Sequence, residues 1–274
     1  MSIDAYGIHI AALYIRFYAL ILMLGMAVGT WATARRARER GLDSEFVWNG
    51  LLWVAIPALI GARLYHVLTP SPASGLSLQY YLQNPLQILA VWNGGLGIYG
   101  AIAGGFLGAV LYCRRHQQPL WLWVDLAVPG LALGQAIGRW ANFVNNELYG
   151  APTNLPWAIT IPEKARVPGY EQFSTFHPLF LYESLWNLGA FVMLILLERR
   201  FRDRIRHGDL FFVYLMSYAT IRFFLDFVRL DSNGLGAITT AQVVSLIVFA
   251  SAGIILFVRH RTTARVENAP ASSQ

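Results

Sequence analysis
Long apolar runs, each near the length of a membrane span, alternate along this chain with short polar breaks. The runs fall at roughly 11–33, 47–69, 95–113, 120–143, 178–197, 209–229 and 237–258, and a helix needs about 20 mostly apolar residues to cross the hydrocarbon core. The pattern predicts an all-α integral membrane protein, a bundle of about seven transmembrane helices within residues 1–265. Two breaks are longer than turns. One, 70–90, carries "TPSPASG" and Asn84–Pro85. The other, 146–176, is rich in proline, glycine and charge and predicts a small head between helices four and five. Residues 266–274 read as a disordered tail. No basic stretch precedes the first run, so it is expected to stay as a membrane helix rather than be cleaved as a signal peptide.

Arginines punctuate every second break. "ARRARER" follows helix one, "CRRHQQ" helix three, "ERRFRDRIRH" helix five and "RHRTTAR" helix seven. With about seven spans all four runs face one side, and the excess of basic residues on cytoplasmic loops makes that side the cytoplasm. The expected topology is multi-pass, with the N-terminus outside, the C-terminus cytoplasmic and the head extracytoplasmic.

Composition agrees with this reading. The chain is 56% hydrophobic and 13% charged, against about 45–50% and about 25% for a soluble domain. Its net charge of +6 is carried by arginine apart from Lys164. Because the arginines lie between apolar segments, anionic membrane lipids are the expected partners, and no nucleic acid is. Cys113 is the only cysteine, which leaves no intrachain disulfide and no Cys/His zinc spacing. HExxH, GxSxG and P-loop patterns are missing as well, so no metal or cofactor is expected.

Ionisable groups at membrane depth are costly and point by default to a working site. In "GRWANFVNNELYG" (138–150), Arg139, Asn142 and Asn146 share a helix face and Glu147 follows. They are either an anion cradle built on the arginine fork or a satisfied network with Arg139 paired to Glu147. Arg222, Asp226 and Arg229 form a stripe in "IRFFLDFVRL", and Arg222 and Asp226 can neutralise each other. "STFHPLFLYES" brings His177, Pro178 and Glu183 to the start of helix five. Arg63 lies in "GARLYH". Gly94 and Gly95, in "WNGGLGIYGAIAGG", let a backbone approach a ligand, and the glycines from Gly97 to Gly108 suit helix packing. Arg63, Arg139 and Arg222, with Asn142, Glu147, Glu183 and Asp226, are thus expected to collect toward the outer leaflet around an anionic amphiphile.

These blocks also carry a family resemblance. "GRWANFVNNELYG" resembles the GRxxNFxNxExxG signature of bacterial prolipoprotein diacylglyceryl transferases. "FYALILMLG", "GARLYHV", "WNGGLGIYGA", "HPLFLYES" and "IRFFLDFVR" resemble the family's other blocks, in the same order. The resemblance implies a single transmembrane catalytic domain in the bacterial cytoplasmic (inner) membrane, with no cofactor. It implies transfer of the diacylglyceryl group of phosphatidylglycerol to the lipobox cysteine of prolipoprotein signal peptides. The products are a thioether and glycerol phosphate. A transporter of an anionic solute or lipid is the alternative, and arginines confined to the outer half argue against it.

Residue by residue, the resemblance makes Arg139 the contact to the phosphatidylglycerol headgroup and Arg222 a second stabiliser of the departing phosphate. Asn142, Asn145 and Glu147 position the headgroup, and Gly150 leaves room beside it. Arg63, Gly94, Gly95, His177 and Glu183 join the substrate-binding set. Tyr18 matches the first-helix tyrosine, and Asp226 falls where the family tends to have an acid, usually glutamate. Tyr99 stands where some members have histidine. The base for the thiol is therefore open between Tyr99, Tyr18, Asp226 and Glu147.

Overall fold
The computed structural model describes residues 2–3, 6–10, 13–70, 76–230, 234–235 and 238–267. Seven helices of 17 residues or more run through them: α1 (Phe17–Glu39), α2 (Ser44–Leu68), α5 (Ile98–Arg115), α6 (Leu120–Val144), α7 (Leu179–Arg200), α8 (Asp209–Leu225) and α9 (Thr240–Glu267). The short α3 (Leu78–Gln83) and α4 (Leu86–Leu89) fill the loop between α2 and α5. Among the described residues, α1, α2, α6, α7 and α9 are long and apolar enough to cross a membrane. The helices α5 and α8, at 18 and 17 residues, are shorter. The protein is an all-α membrane protein.

The first helix begins later than its apolar run. Residues of that run form β3 (Leu13–Arg16), antiparallel to β2 (Gly7–Ile10), which also pairs with β1 (Ser2–Ile3). Apolarity alone does not separate strand from helix, and alternating β-branched and aromatic residues such as Ile8, Tyr14 and Ile15 favour the pleated form. At the other end α9 continues through Glu267, so the expected tail starts inside a helix. Its residues 268–274, like 71–75 of the "TPSPASG" loop, lie outside the described residues.

The chain divides into two compact units, residues 1–33 with 124–274, and residues 34–123. In the first, α1 and α6 cross so closely that a Cβ at Gly25 would sit 2.7 Å from the Gly134 carbonyl oxygen, and one at Gly29 2.6 Å from that of Gly130. Paired GxxxG faces allow this approach, which replaces the hydrophobic drive that helices lack in lipid. The pairing is antiparallel, and continuing it by two turns sets Tyr18 near Asn142. Val128, Ala132, Ala190, Leu194, Leu210 and Tyr214 form the core between α6, α7 and α8. The second unit repeats the device. Gly100, Gly104 and Gly108 of α5 pack on the backbone of α2 at Gly61, Pro57 and Trp53, as expected of that stripe.

Between α6 and α7 the chain builds a small folded segment. The strands β4 (Ile159–Thr160) and β5 (Thr175–Phe176) pair antiparallel. Buried Tyr149, Ile161 and Phe176 make its core. The Tyr149 phenol donates to Ala165 O and accepts from Val167 N, both at 2.7 Å. Two further short strands, β6 (Gly234–Leu235) and β7 (Ile238–Thr239), lead into α9.

Candidate active site
The signature ends α6 with a Schellman turn. Asn146 takes φ 52°, its N–H donates to Phe143 O at 3.0 Å, and Glu147 N–H donates to Asn142 O at 3.0 Å. Asparagine is the residue after glycine that best tolerates this left-handed position. The turn folds Glu147 back over the helix end, where Asn142 Nδ2 donates to Glu147 Oε1 at 2.9 Å. Asn142 is buried and Glu147 exposed. A carboxylate at a helix C-terminus opposes the helix dipole, so this placement serves something other than helix stability. Leu148, also left-handed at φ 54°, adds backbone strain at the same point.

Arg139 pairs through Nη2 with Glu183 of α7 rather than with Glu147. The reason is the turn just described, which takes Glu147 back to Asn142. Glu183 is buried, with a side chain 9% exposed against 24% for Arg139. Ser184 Oγ donates to Ala136 O at 2.7 Å and Trp140 Nε1 to Ser184 Oγ at 3.2 Å, which locks α7 to α6 on either side of the ion pair. Tyr18 lies within electrostatic range of both Glu147 and Arg139. The Tyr214 hydroxyl donates to Gln135 Oε1 at 2.8 Å and sets α8 against α6. In that register Arg222 stands level with Phe143, about one turn, or ~6 Å, beyond Arg139.

Arg222 pairs with Asp226 at 3.2 Å. The Asp226 side chain is fully buried and its second oxygen accepts from the Thr239 hydroxyl. Thr239 in turn forms a capping box with Gln242 at the start of α9, with reciprocal bonds of 3.0 and 3.1 Å. Asp226 therefore joins α8 to α9 and has no face open to a substrate. Arg222 Nη1 is buried with no hydrogen-bond partner among the described residues. A buried, unsatisfied guanidinium N–H is costly unless a ligand takes it. Both arginines are thus paired to one carboxylate each and keep further N–H donors.

Gly150 closes the site's edge. Its N–H donates to His177 O at 2.9 Å, and Ala151 N–H to Val228 O at 2.7 Å. A Cβ at 150 would sit 2.8 Å from Val228 O and 2.9 Å from His177 Cβ, so close backbone approach explains the glycine. His177 Nδ1 lies 3.1 Å from the Tyr182 hydroxyl, which accepts from Trp157 Nε1 at 2.8 Å. Asn145 caps α6, its N–H bonded to Ala141 O at 3.1 Å.

Arg63, Gly94, Gly95 and Tyr99 belong to the second unit. Arg63 is buried and donates to Ile88 O, Gly94 O, Gly95 O and Gln87 O at 2.9, 2.7, 3.0 and 2.5 Å. Four of its roughly five donors are thereby used on the loop, so Arg63 is a loop clamp and not a free anion fork. Gly94 and Gly95 take φ of 83° and 70°, and a Cβ at Gly95 would strike His66 and Arg63. Tyr99 is 67% exposed and packs against Tyr65 at 5.7 Å. Among the described residues no group of three His, Cys, Asp or Glu is arranged to hold a metal.

Residues missing from the sequence expectation are Ser184, Trp140, Gln135 and Tyr214. Their polar atoms bond across helices, and only the polar side chains of Gln135 and Ser184 within apolar runs signalled them.

A family model described as prolipoprotein diacylglyceryl transferase matches residues 6–259. A protein of Gloeobacter violaceus is 41% identical over 261 residues, 95% of this chain and 94% of its own length. One from Trichormus variabilis is 39% identical over 273 residues, 97% and 94% of the two chains. A Streptomyces coelicolor relative is 41% identical over 226 residues, 82% and 69%. The first two bear the name phosphatidylglycerol–prolipoprotein diacylglyceryl transferase, and the third the same name with a final 2. With nearly the whole length matched, and with the signature folded into a capped helix end where Asn142 holds Glu147, the chain belongs to the prolipoprotein diacylglyceryl transferase family.

Proposed function
We propose that the protein transfers the diacylglyceryl group of phosphatidylglycerol to the cysteine thiol of a prolipoprotein signal peptide, releasing glycerol phosphate. Its relatives are named for that reaction. The observation that carries the residue assignment is the placement of Arg139, Arg222 and Glu147 at one end of one helical unit, both arginines with donors left over.

The sulfur attacks the glycerol carbon that bears the phosphate. A C–S bond forms, the C–O bond breaks, and the electron pair leaves on the phosphate oxygen. The phosphate passes from a singly charged diester to a monoester carrying a second negative charge. Arg139 and Arg222 hold it as that charge develops, which is where preorganised donors act most strongly. Asn142 fixes Glu147, and Tyr18 and Asn145 position the headgroup. Gly150 and His177 shape the rim.

The thiol proton goes to Glu147. Asp226 is closed off by Arg222 and Thr239, whereas Glu147 is an exposed carboxylate held by Asn142 and within electrostatic range of Tyr18. A carboxylate is a much weaker base than a thiolate, so proton transfer accompanies C–S bond formation.

The membrane placement completes the reading. About seven helices span the inner membrane, the arginine-rich loops face the cytoplasm, and the site and the folded segment between α6 and α7 face outward. The test is transfer of labelled diacylglycerol from phosphatidylglycerol to a synthetic lipobox peptide by the purified protein. A thioether-linked product is expected, and lipid and peptide both bound without transfer would overturn the proposal.

A further inference from the structure
The opposite end of the same helices carries a feature that the transfer reaction does not use. Residues 198–206 hold five arginines and two acids. Part of the charge near this end is bound internally. Asp125 accepts from Gly208 N and Phe211 N at 2.6 and 3.0 Å. Asp209 lies 2.7 Å from His260 Nε2 and accepts from Arg206 N at 2.8 Å. Arg206 donates to Arg259 O at 2.5 Å, and Arg259 to His207 O at 2.7 Å. These bonds hold the turn between α7 and α8 against α9. Arg200 and Arg204 are exposed and take no part in that network, Arg200 lying over the Phe201 ring at 5.5 Å.

Two apolar troughs meet beside them at Leu197 and Phe201. One, of ≈ 670 Å³, runs along α7 past Leu188, Gly189 and Val192 and ends at Arg200. The other, of ≈ 270 Å³, lies between the end of α7, α8 and α9, with Arg204, His260 and Asp209 on its wall, the last engaged by His260. Gly189 opens the longer trough, since a Cβ there would meet nothing within 4 Å.

Two apolar channels that converge on exposed arginines match the shape and charge of a diacyl lipid with an anionic head. The geometry points to a binding site for one anionic phospholipid, its chains on either side of Phe201 and its phosphate on Arg200 and Arg204. Juxtamembrane arginines attract such heads strongly. From Glu183 to Arg200 is 17 residues of helix, about 26 Å, so this lipid is not the one that reacts. Charge also argues against other occupants. The basic start of a signal peptide would be repelled, and a second copy docked by two-fold symmetry on this face would bring its own arginines against these. The bound lipid staples α7 to α9 at the end remote from the chemistry. This inference does not depend on the assignment of the transfer site.

The test uses the full chain in detergent and counts retained lipid by native mass spectrometry, with dioleoylphosphatidic acid and dioleoylphosphatidylcholine as probes. Phosphatidic acid is expected to be retained in preference to phosphatidylcholine. The double variant Arg200→Gln/Arg204→Gln should weaken retention on the order of tenfold. Gly189→Leu, which fills the trough and leaves the arginines, should weaken it as well. Unchanged retention in the double variant overturns the site. So does a shift in oligomeric mass on Gly189→Leu with lipid retention unchanged, since the trough would then seat a second copy.

Discussion

Asn142 donates from Nδ2 to Glu147 Oε1 at 2.9 Å across a turn whose left-handed residue is Asn146. This one bond joins helix termination to chemistry. The turn that ends α6 also brings an acid back onto Asn142, one helical turn from Arg139, the arginine that Glu183 holds from α7.

The turn makes a sharp demand on position 146. Asn146→Gly should keep both stability and transfer, because glycine accepts φ 52° without strain. Asn146→Val should cost about 1–2 kcal/mol and slow transfer, as Glu147 leaves its seat. Thermal midpoints and initial rates check this, and equal behaviour of the two variants would show that the left-handed cap is unimportant.

Glu147→Gln removes the proposed proton acceptor and keeps the bond to Asn142 possible. Transfer should then depend on thiolate already present, rising about tenfold per pH unit below the thiol's pKa near 8.5, while the wild type stays flatter. Parallel pH profiles for the two proteins would assign the proton to another group.

The crossing of α1 on α6 brings Tyr18 within electrostatic range of Arg139 and Glu147. Gly130→Leu places a side chain where a Cβ already meets the Gly29 carbonyl oxygen at 2.4 Å. It should destabilise by about 1–3 kcal/mol or more and reduce transfer with it. Gly138→Ala meets only Leu22, at 3.5 Å, and should be tolerated. Detergent-resistant folding and transfer rates, measured together, separate the two.

How much of this was legible beforehand depends on the range of the interaction. Apolar runs, glycine stripes and the shared face of Arg139 and Asn142 are local patterns with fixed periods, and they show in the chain itself. Partners across helices are not local. Glu147 looked like the mate of Arg139 because it follows closely, yet the cap at Asn146 reverses the chain and Glu183 arrives from α7. Arg63 reads in the sequence as one of the substrate-binding residues, but its acceptors are backbone carbonyls at residues 87–95, which leave no side-chain signature. The N-terminal strands were absorbed into an apolar run because hydrophobicity does not tell a strand pair from a helix.

The segment between α6 and α7 has a pH limit. Burial pushes the Tyr149 phenol above its ordinary value near 10. A group whose pKa is raised by folding stabilises the fold below its unfolded value and loses that contribution as pH climbs through the folded one. The segment should therefore loosen above about pH 10, seen as faster amide exchange at Val167, whose N–H bonds to that oxygen. Tyr149→Phe should exchange faster at neutral pH, with no further alkaline step from this group. Identical exchange in both proteins across this range would remove Tyr149 as the segment's anchor.

The central claim is that two guanidinium groups take up the charge of a departing phosphate, and turnover of Arg139→Ala and Arg222→Ala measures it most directly. Each substitution is expected to lower kcat by about 10²–10³, with the protein still folded and its lipid still bound. Normal turnover in both folded variants would contradict the account.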